Sequence, residues 1–467
     1  MTAKPSECSI HAASFRDPSG FVFQANGIWY RQVSLPYREQ YRLLMTSGLY
    51  DTLRAKDLVV AHEELDENLL GHPDWFLTLR PEQLTFTCYP EEWSPAQLKD
   101  AALCTLTILR LAIDHGMILK DATPRNIQFV KGKPIFIDTL SFERYDPAQP
   151  WIAYRQFCEC FLNPLLLHHY RAWGVHKTAI AWPEGIPARI TLGSLPARSR
   201  LRMSIWLHVV LPARLAATAG QRLAGKPLPA FSRQKLLQLT AHLESIIHKL
   251  KLHDGADSTW NTYYEHTISS QPYLQEKEKL FREWIAALDF VTSLDLGAND
   301  GYFSRILAGK AQRVVAIDAD WSCMQNLYLS ARTHSLPNVV PLCVDIANPT
   351  PASGFHHQEK TSFTQRAGSD LVAALALIHH LVLSQNIPLT RIAPWLAALT
   401  HRWLIIEFIP TDDEKARELL LHKKTYPGPY DVPSFEACFG NYFHLERKAI
   451  IPGTSRVLYL LQKKPQP

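Results

Sequence analysis

Hydrophobic and polar residues alternate over Phe21–Val33 (FVFQANGIWYRQV) on either side of an Asn-Gly pair, which predicts a β-hairpin closed by a two-residue turn. Helical spacing follows over Tyr37–Leu53. A long apolar-periodic segment then runs from Ser94 to Ile113, with Ser94-Pro95 as N-cap and first helical residue, and ends at His115-Gly116. Asn126–Val130 and Pro134–Asp138 read as short extended segments about a Lys131-Gly132-Lys133 turn. Helices are expected to dominate from Trp151 to Leu252, interrupted by loops at Pro183–Pro196 and Gly225–Ser232.

From Thr292 the rhythm changes. Apolar strands (TSLDLG, VVAID, NVVPLCVD, DLVAALAL, WLIIEF) are separated by segments long enough for crossover helices, the pattern of a parallel sheet. Two further strands, Phe443–Ile450 and Arg456–Leu461, are joined by Pro452-Gly453 and predict an antiparallel hairpin at the sheet edge. The expected fold is therefore α/β: a C-terminal doubly wound, Rossmann-like sheet with a terminal antiparallel hairpin, preceded by an α+β domain with a helical extension. The division read from the sequence is a tail over 1–20, an α+β domain over 21–250 and the doubly wound domain over 251–467.

Composition agrees with this division, because 467 residues exceed what one hydrophobic core organises. Lys and Arg number 49 against 44 Asp and Glu, and the resulting +5 is too small to imply nucleic-acid binding. One local excess stands out between Arg189 and Lys226. There Arg198, Arg200, Arg202, Arg214 and Arg222 meet almost no acid, which suits either a solvated helical face or contact with an anionic polymer or a peripheral membrane surface. The eight cysteines form no zinc spacing and no disulfide framework. Met1–Phe15 lacks an apolar core and no run of eighteen apolar residues occurs, so the expected setting is reducing and cytoplasmic.

The segment Ser293–Ser304 (SLDLGANDGYFS) reads as a buried strand, a tight glycine loop and a helix start, the place where open α/β sheets bind nucleotides. Asp318 closes the next strand about 20 residues after Gly297, the separation at which an acid reaches ribose hydroxyls. Asp345 closes the third strand at the same edge. DLGANDG, VVAIDAD and PLCVD together resemble the first three motifs of class I S-adenosylmethionine-dependent methyltransferases, over roughly residues 260–464. The resemblance implies S-adenosylmethionine as cosubstrate, with Asp295, Gly297 and Gly301 lining its methionine part, Asp318 its ribose and Asp345 its adenine. Asn299 stands where that family has its second glycine, and Asn tolerates the left-handed backbone better than most residues.

Methyl transfer from a sulfonium already has a good leaving group, so the protein must chiefly position the nucleophile and exclude water. The fourth strand leads into Ala376-Leu377-Ile378-His379-His380-Leu381. Its two histidines are candidates for the general base or for lining the pocket. Glu407, closing the fifth strand in IIEFIP, is a second candidate for acid-base work or acceptor binding, or a structural carboxylate. The polar insert Asn348–Ser369, with His356, His357 and Glu359, reads as a cover for the acceptor or a disordered lid. ALIHHL, LIIEFIP, SFEACFGNYF and SRVLYLL resemble a bacterial group of long class I methyltransferases that includes nodulation-associated, host-specificity members. The likeness extends through YRQV, LKDATPRNIQF, FIDTLSFE and YRQFC in the N-terminal half.

A second constellation lies in that half. In phosphoryl transfer one Asp orients the attacking hydroxyl, while an Asn and another Asp hold magnesium on the phosphates. Asp121 and Asn126 have the D-x-x-x-x-N spacing, and Asp138 follows in IFID. The run resembles the catalytic loop of protein-kinase-like and aminoglycoside-phosphotransferase-like folds, which implies Asp121 as base and Asn126 with Asp138 as ligands of Mg-ATP. The hairpin has no glycine-rich phosphate loop, no V-A-I-K lysine is present, and Thr139-Leu140 follows Asp138. Arg31 stands near the place expected for the lysine.

Three readings follow. In the leading one, the N-terminal domain recognises or presents an acceptor that the C-terminal domain methylates on oxygen or nitrogen. The second is a bifunctional kinase and methyltransferase acting on a glycan or lipid-linked intermediate, resembling polysaccharide chain terminators with the domain order reversed. The third is a non-catalytic nucleotide-binding interaction protein. A glycan, a lipid-linked intermediate, a peptide and a small metabolite all remain open as acceptor. A nucleic acid is disfavoured, since the fourth-strand motif lacks N/D-P-P-Y/F and no basic and aromatic strip is evident.

Overall fold

A computed structural model of the protein describes residues 8–222, 231–253, 271–421, 423 and 425–465. Most of the loop expected at Gly225–Ser232, with Lys226, lies outside the described residues. The chain divides into two units, the first Met1–Asp254 with Ser353–Lys360, the second Gly255–Ala352 with Thr361–Pro467.

The first unit opens with a five-stranded antiparallel sheet of β1 (Cys8–Ile10), β2 (Gly20–Ala25), β3 (Ile28–Ser34), β4 (His62–Leu65) and β5 (Trp75–Pro81), in the order β1-β2-β3-β5-β4. Ala25 pairs with Ile28 across Asn26 and Gly27, both at positive φ (51° and 79°), as a two-residue primed turn requires. Pairing of β1 with β2 makes Cys8–Ile10 an edge strand, within the stretch 1–20 expected to be a tail. The single helix expected over Tyr37–Leu53 is two, Arg38–Thr46 and Leu49–Ala55, because Gly48 between them takes φ 77°. The long helix Pro95–Asp114 is capped by Ser94 and Gln97 in a reciprocal box and stopped by Gly116 at φ 74°. Behind it come β6 (Met117–Leu119), β7 (Ile127–Val130), β8 (Lys133–Phe136) and β9 (Phe142–Arg144), paired as β6-β9 and β7-β8. Helices then dominate to Lys249.

The insert expected between Asn348 and Ser369 divides. Ser353–Lys360 belongs to the first unit, where Arg16 Nη2 meets Glu359 Oε1 at 2.6 Å and Lys360 pairs with the buried Glu91. A short helix, Phe363–Arg366, capped by Ser362, belongs to the second.

The second unit is a seven-stranded sheet of β10 (Thr292–Leu296), β11 (Arg313–Asp318), β12 (Val339–Cys343), β13 (Ser369–Ala374), β14 (Thr400–Phe408), β15 (Phe443–Ile450) and β16 (Val457–Lys463). Their order is β12-β11-β10-β13-β14-β16-β15, with the first five parallel and β16 antiparallel to β14 and β15. The order reverses at β10, so the crevice between the ends of β10 and β13 is a topological switch point. Strands β10 to β14 are continuous apolar runs because helices cover both faces; Val314, Val315, Ala316 and Ile317 are all fully buried. The helix Gln271–Ala287 contributes Tyr273, Phe281, Trp284 and Ile285 to the core.

Candidate functional site

Parallel pairing brings the strand ends to one edge: Leu296 lies beside Ile317 and Ala374, Asp318 beside Cys343, and Ala374 beside Ile406. Between β10 and the helix Tyr302–Ala308 the chain turns through Gly297, Asn299 and Gly301, at φ 70°, 51° and 81°. Asn299 thus adopts the left-handed conformation that its place in the motif demands. A Cβ on Gly301 would come within 2.3 Å of Leu327 Cδ1, so this glycine lets the helix Tyr302–Ala308 pack against the helix Trp321–Thr333. A Cβ on Gly297 would stand 3.3 Å from Leu377 Cδ1.

Asp318 ties this loop to β11. Its Oδ2 accepts from the N–H of Asn299 at 3.0 Å and its Oδ1 from the N–H of Asp320 at 2.9 Å. An ionised carboxylate has about four acceptor positions. Acceptor capacity therefore remains beside these N–H donors for a hydroxyl such as one of a ribose diol, and the residues present fit S-adenosylmethionine at this edge. Burial raises the pKa of Asp318, opposed by the backbone N–H groups of Asp320, Asn299 and Ala319. Asp295 is buried at the end of β10 and accepts from Ser304 Oγ at 2.6 Å; burial pushes its pKa up to about 6, against the pull of that hydroxyl. Asp345 is exposed two residues past β12 and accepts from the N–H of Ala347 at 2.9 Å.

On the far side of the crevice, the turn after β13 holds Ala376 at φ 51°, a conformation disfavoured for an alanine. What holds it is Glu407, whose Oε2 accepts the N–H of Ala376 at 2.9 Å. Glu407 has no exposed surface. It also accepts from Tyr273 OH and from Lys277 Nζ, each at 2.5 Å, and Arg456 Nη1 lies 3.8 Å from its Oε1. Arg456 in turn donates to Tyr273 OH at 2.8 Å and forks onto Asp413 at 2.8 and 3.0 Å. Burial alone would raise the pKa of Glu407, but Lys277 and Arg456 reverse this and hold it below the ordinary value.

His379 follows on the same turn, fully buried, and neither of its ring nitrogens has a hydrogen-bond partner among the described residues. Buried polar groups in folded proteins are nearly always hydrogen-bonded, so this ring is an exception located at the carboxyl edge of the sheet. His380 is half-buried, with its ring centroid 4.0 Å from that of His379. Burial carries the pKa of His379 well below 6.5, assisted by His380, and that of His380 down to about 4, so both are neutral at pH 7. Tyr273, Lys277, Asp413 and Arg456 were missed by sequence reasoning. The available signal was Lys277, which stands in the apolar stripe Tyr273, Phe281, Trp284 of its helix.

In the first unit the structure brings together the three polar residues singled out there. Asn126 Nδ2 donates to Asp121 Oδ2 at 3.2 Å and lies 3.3 Å from Ser141 Oγ, which donates to Asp138 Oδ2 at 2.6 Å. The N–H of Leu140 donates to Asp138 Oδ1 at 3.1 Å, and the guanidinium of Arg31, on β3, pairs with the same oxygen. Burial raises the pKa of Asp121, with Asn126 opposing it. For Asp138 burial acts the same way but is overcome by Arg31, Ser141 and Leu140. Arg31 thus already neutralises the carboxylate at which a divalent ion would be held. No cluster of three or more metal-ligating side chains occurs among the described residues, and none of their helices is long and apolar enough to cross a membrane.

No protein-family model matches the chain. It is 30% identical over 468 residues to nodulation protein NoeA of Rhizobium meliloti (strain 1021), covering 97% of this chain and 96% of that protein. Among solved structures, it is similar to N-methyltransferase NodS from Bradyrhizobium japonicum WM9 in complex with S-adenosyl-L-homocysteine (TM-score 0.33, 13% identity, 45% of this chain and 95% of that one). It is also similar to magnesium protoporphyrin IX methyltransferase from Synechocystis PCC 6803 (TM-score 0.31, 16% identity, 41% and 84%). A third such structure is the bifunctional kinase-methyltransferase WbdD (TM-score 0.29, 19% identity, 40% and 38%).

Proposed function

The chain belongs to the family of nodulation protein NoeA, and from the edge of its parallel sheet we propose that it is an S-adenosylmethionine-dependent methyltransferase. The observation that carries this reading is the left-handed Gly297-Asn299-Gly301 loop fastened to Asp318 by the backbone N–H of Asn299 at the switch point. Asp295, Gly297, Asn299 and Gly301 would hold the methionine part of the cosubstrate, Asp318 the ribose and Asp345 the adenine. When bound, the cosubstrate supplies an electrophilic methyl group on a sulfonium.

The chain's own residues then position the acceptor and take its proton. His379 and His380 are the groups for this, both neutral at pH 7. The acceptor atom is an oxygen or a nitrogen, and a base at this turn would take the proton released as that atom is methylated. Glu407 is held ionised by its partners, and its part is to fix the Ala376 turn on which His379 is carried. The first unit serves acceptor recognition in this reading. Phosphotransfer from Mg-ATP at Asp121, Asn126 and Asp138 is the second reading, and magnesium-dependent ATP binding is the observation that would establish it.

The test is calorimetric titration with S-adenosylhomocysteine of the wild type and of Asp318→Asn. Saturable one-site binding, weakened at least about tenfold in the variant by loss of charge-assisted hydrogen bonds, supports the reading. A folded wild type that does not bind sinks it.

A further inference from the structure

No Asp or Glu occurs between Glu184 and Glu244, although that stretch carries Arg189, Arg198, Arg200, Arg202, Arg214, Arg222, Lys226, Arg233 and Lys235. Its described part is helical: Ala188–Ser194, Ala197–Leu201, Met203–Ile205, Trp206–Val210 and Leu211–Arg222. One side of these turns is built into the first unit through Thr191, Leu195, Ile205, His208, Val209 and Val210, all buried. The other side carries large apolar residues that the fold leaves uncovered: Leu201 is 88% exposed, Met203 73%, Leu215 59% and Trp206 41%.

Leu201, Met203 and Trp206 fall within six residues, interleaved with exposed Arg198, Arg200 and Arg202. None of these three arginines is paired with a carboxylate among the described residues. Arg200 Nη2 donates to the carbonyl of Leu192 at 3.0 Å, and the Arg202 guanidinium lies 5.6 Å from the Tyr170 ring centroid. Exposed apolar side chains interleaved with cations, in a stretch of chain that carries no acid, are the elements of an interfacial membrane contact. Nucleic acid would call for aromatic stacking platforms along the basic track, and this patch offers aliphatic side chains with a single indole.

We propose that the Ala197–Leu215 face of the first unit binds the surface of an anionic lipid bilayer, inserting Leu201, Met203 and Trp206 between headgroups that Arg198, Arg200 and Arg202 engage. The contact is peripheral, and it does not depend on the methyl-transfer reading of the second unit.

The experiment is co-sedimentation of the full-length protein with vesicles of phosphatidylcholine alone and with about a quarter phosphatidylglycerol. Binding to the anionic vesicles, weak binding to the neutral ones, and a fall as salt rises are expected. Arg198→Gln/Arg200→Gln/Arg202→Gln should weaken anionic-vesicle binding by about a hundredfold. Leu201→Ser/Met203→Ser should abolish the fraction that persists at high salt. All five positions are exposed, so unchanged melting of both variants checks that they fold. The proposal is overturned if the wild type does not sediment with anionic vesicles, if both variants bind like the wild type, or if the protein is retained by duplex or single-stranded DNA at a salt concentration where vesicles do not hold it.

Discussion

Replacing Glu407 by Gln tests how the second unit is built and how its site is held. The substitution keeps the shape but removes the charge that faces Lys277 and Arg456, both buried. Arg456 retains its fork onto Asp413, while Lys277 keeps no carboxylate of the described residues within ion-pair distance. Breaking a buried pair from one side costs about 3–5 kcal/mol, because the remaining charge is stranded in the interior. For a domain of roughly 200 residues this lowers the melting temperature by about 6–20 °C. Lys277→Met alone should be comparably harmful. The double variant, which removes both charges, should recover much of the loss, so that the cycle gives a coupling of more than about 1 kcal/mol.

The sign with pH follows from the depressed pKa of Glu407. Its stabilisation is fully present above the unfolded-state value and disappears as pH falls through the lower folded-state value. The gap between wild type and Glu407→Gln should therefore be widest near neutrality and close in acid. Calorimetric melting of the four proteins from pH 7.5 downward measures both effects. A single-variant loss below about 1 kcal/mol, or a gap that does not depend on pH, would refute the assignment of Glu407 as the charged centre of this network.

Other outcomes are expected from the same structure. Gly301→Ala forces a side chain to φ 81° and into Leu327, and should destabilise by about 3 kcal/mol; Gly297→Ala, with 3.3 Å of room, should cost about half of that, and thermal melting ranks the two. Asp295, raised from 3.8 to about 6, makes the native state hold a proton that the unfolded chain releases between those values, so its stability contribution declines as pH rises through that window. Asp295→Asn should thus melt higher than wild type at pH 7.5 by up to about 3 kcal/mol, match it near pH 4, and bind S-adenosylhomocysteine more weakly; equal melting at both pH values would contradict the burial argument. Arg31→Met and Asp138→Asn should each cost about 1.5–3 kcal/mol, and together less than their sum, as denaturant unfolding of the four proteins can show.

What the sequence made legible was local chemistry. Asn26-Gly27 announced a hairpin, Ser94-Pro95 a helix start, and the glycines and strand-end acids of the second unit a crevice at one sheet edge, because each depends on residues close in the chain. Gly48 was equally local, yet helical spacing on both sides of it hid the break between Thr46 and Leu49. The network around Glu407 was out of reach for a different reason: its members come from the helix before the sheet, from β14, from Asp413 beyond it and from Arg456 at the start of the last strand. No spacing rule connects them. Glu407 therefore looked like one more strand-end acid available for chemistry, when its oxygens are taken up by Tyr273, Lys277, Arg456 and the N–H of Ala376. That exchange of roles moves the acid-base argument onto His379, whose two ring nitrogens are without partners among the described residues, on a turn that Glu407 keeps in a strained conformation. Strain and unpaired polarity at one turn, sustained by a buried ion network behind it, are what a preorganised acceptor site would need.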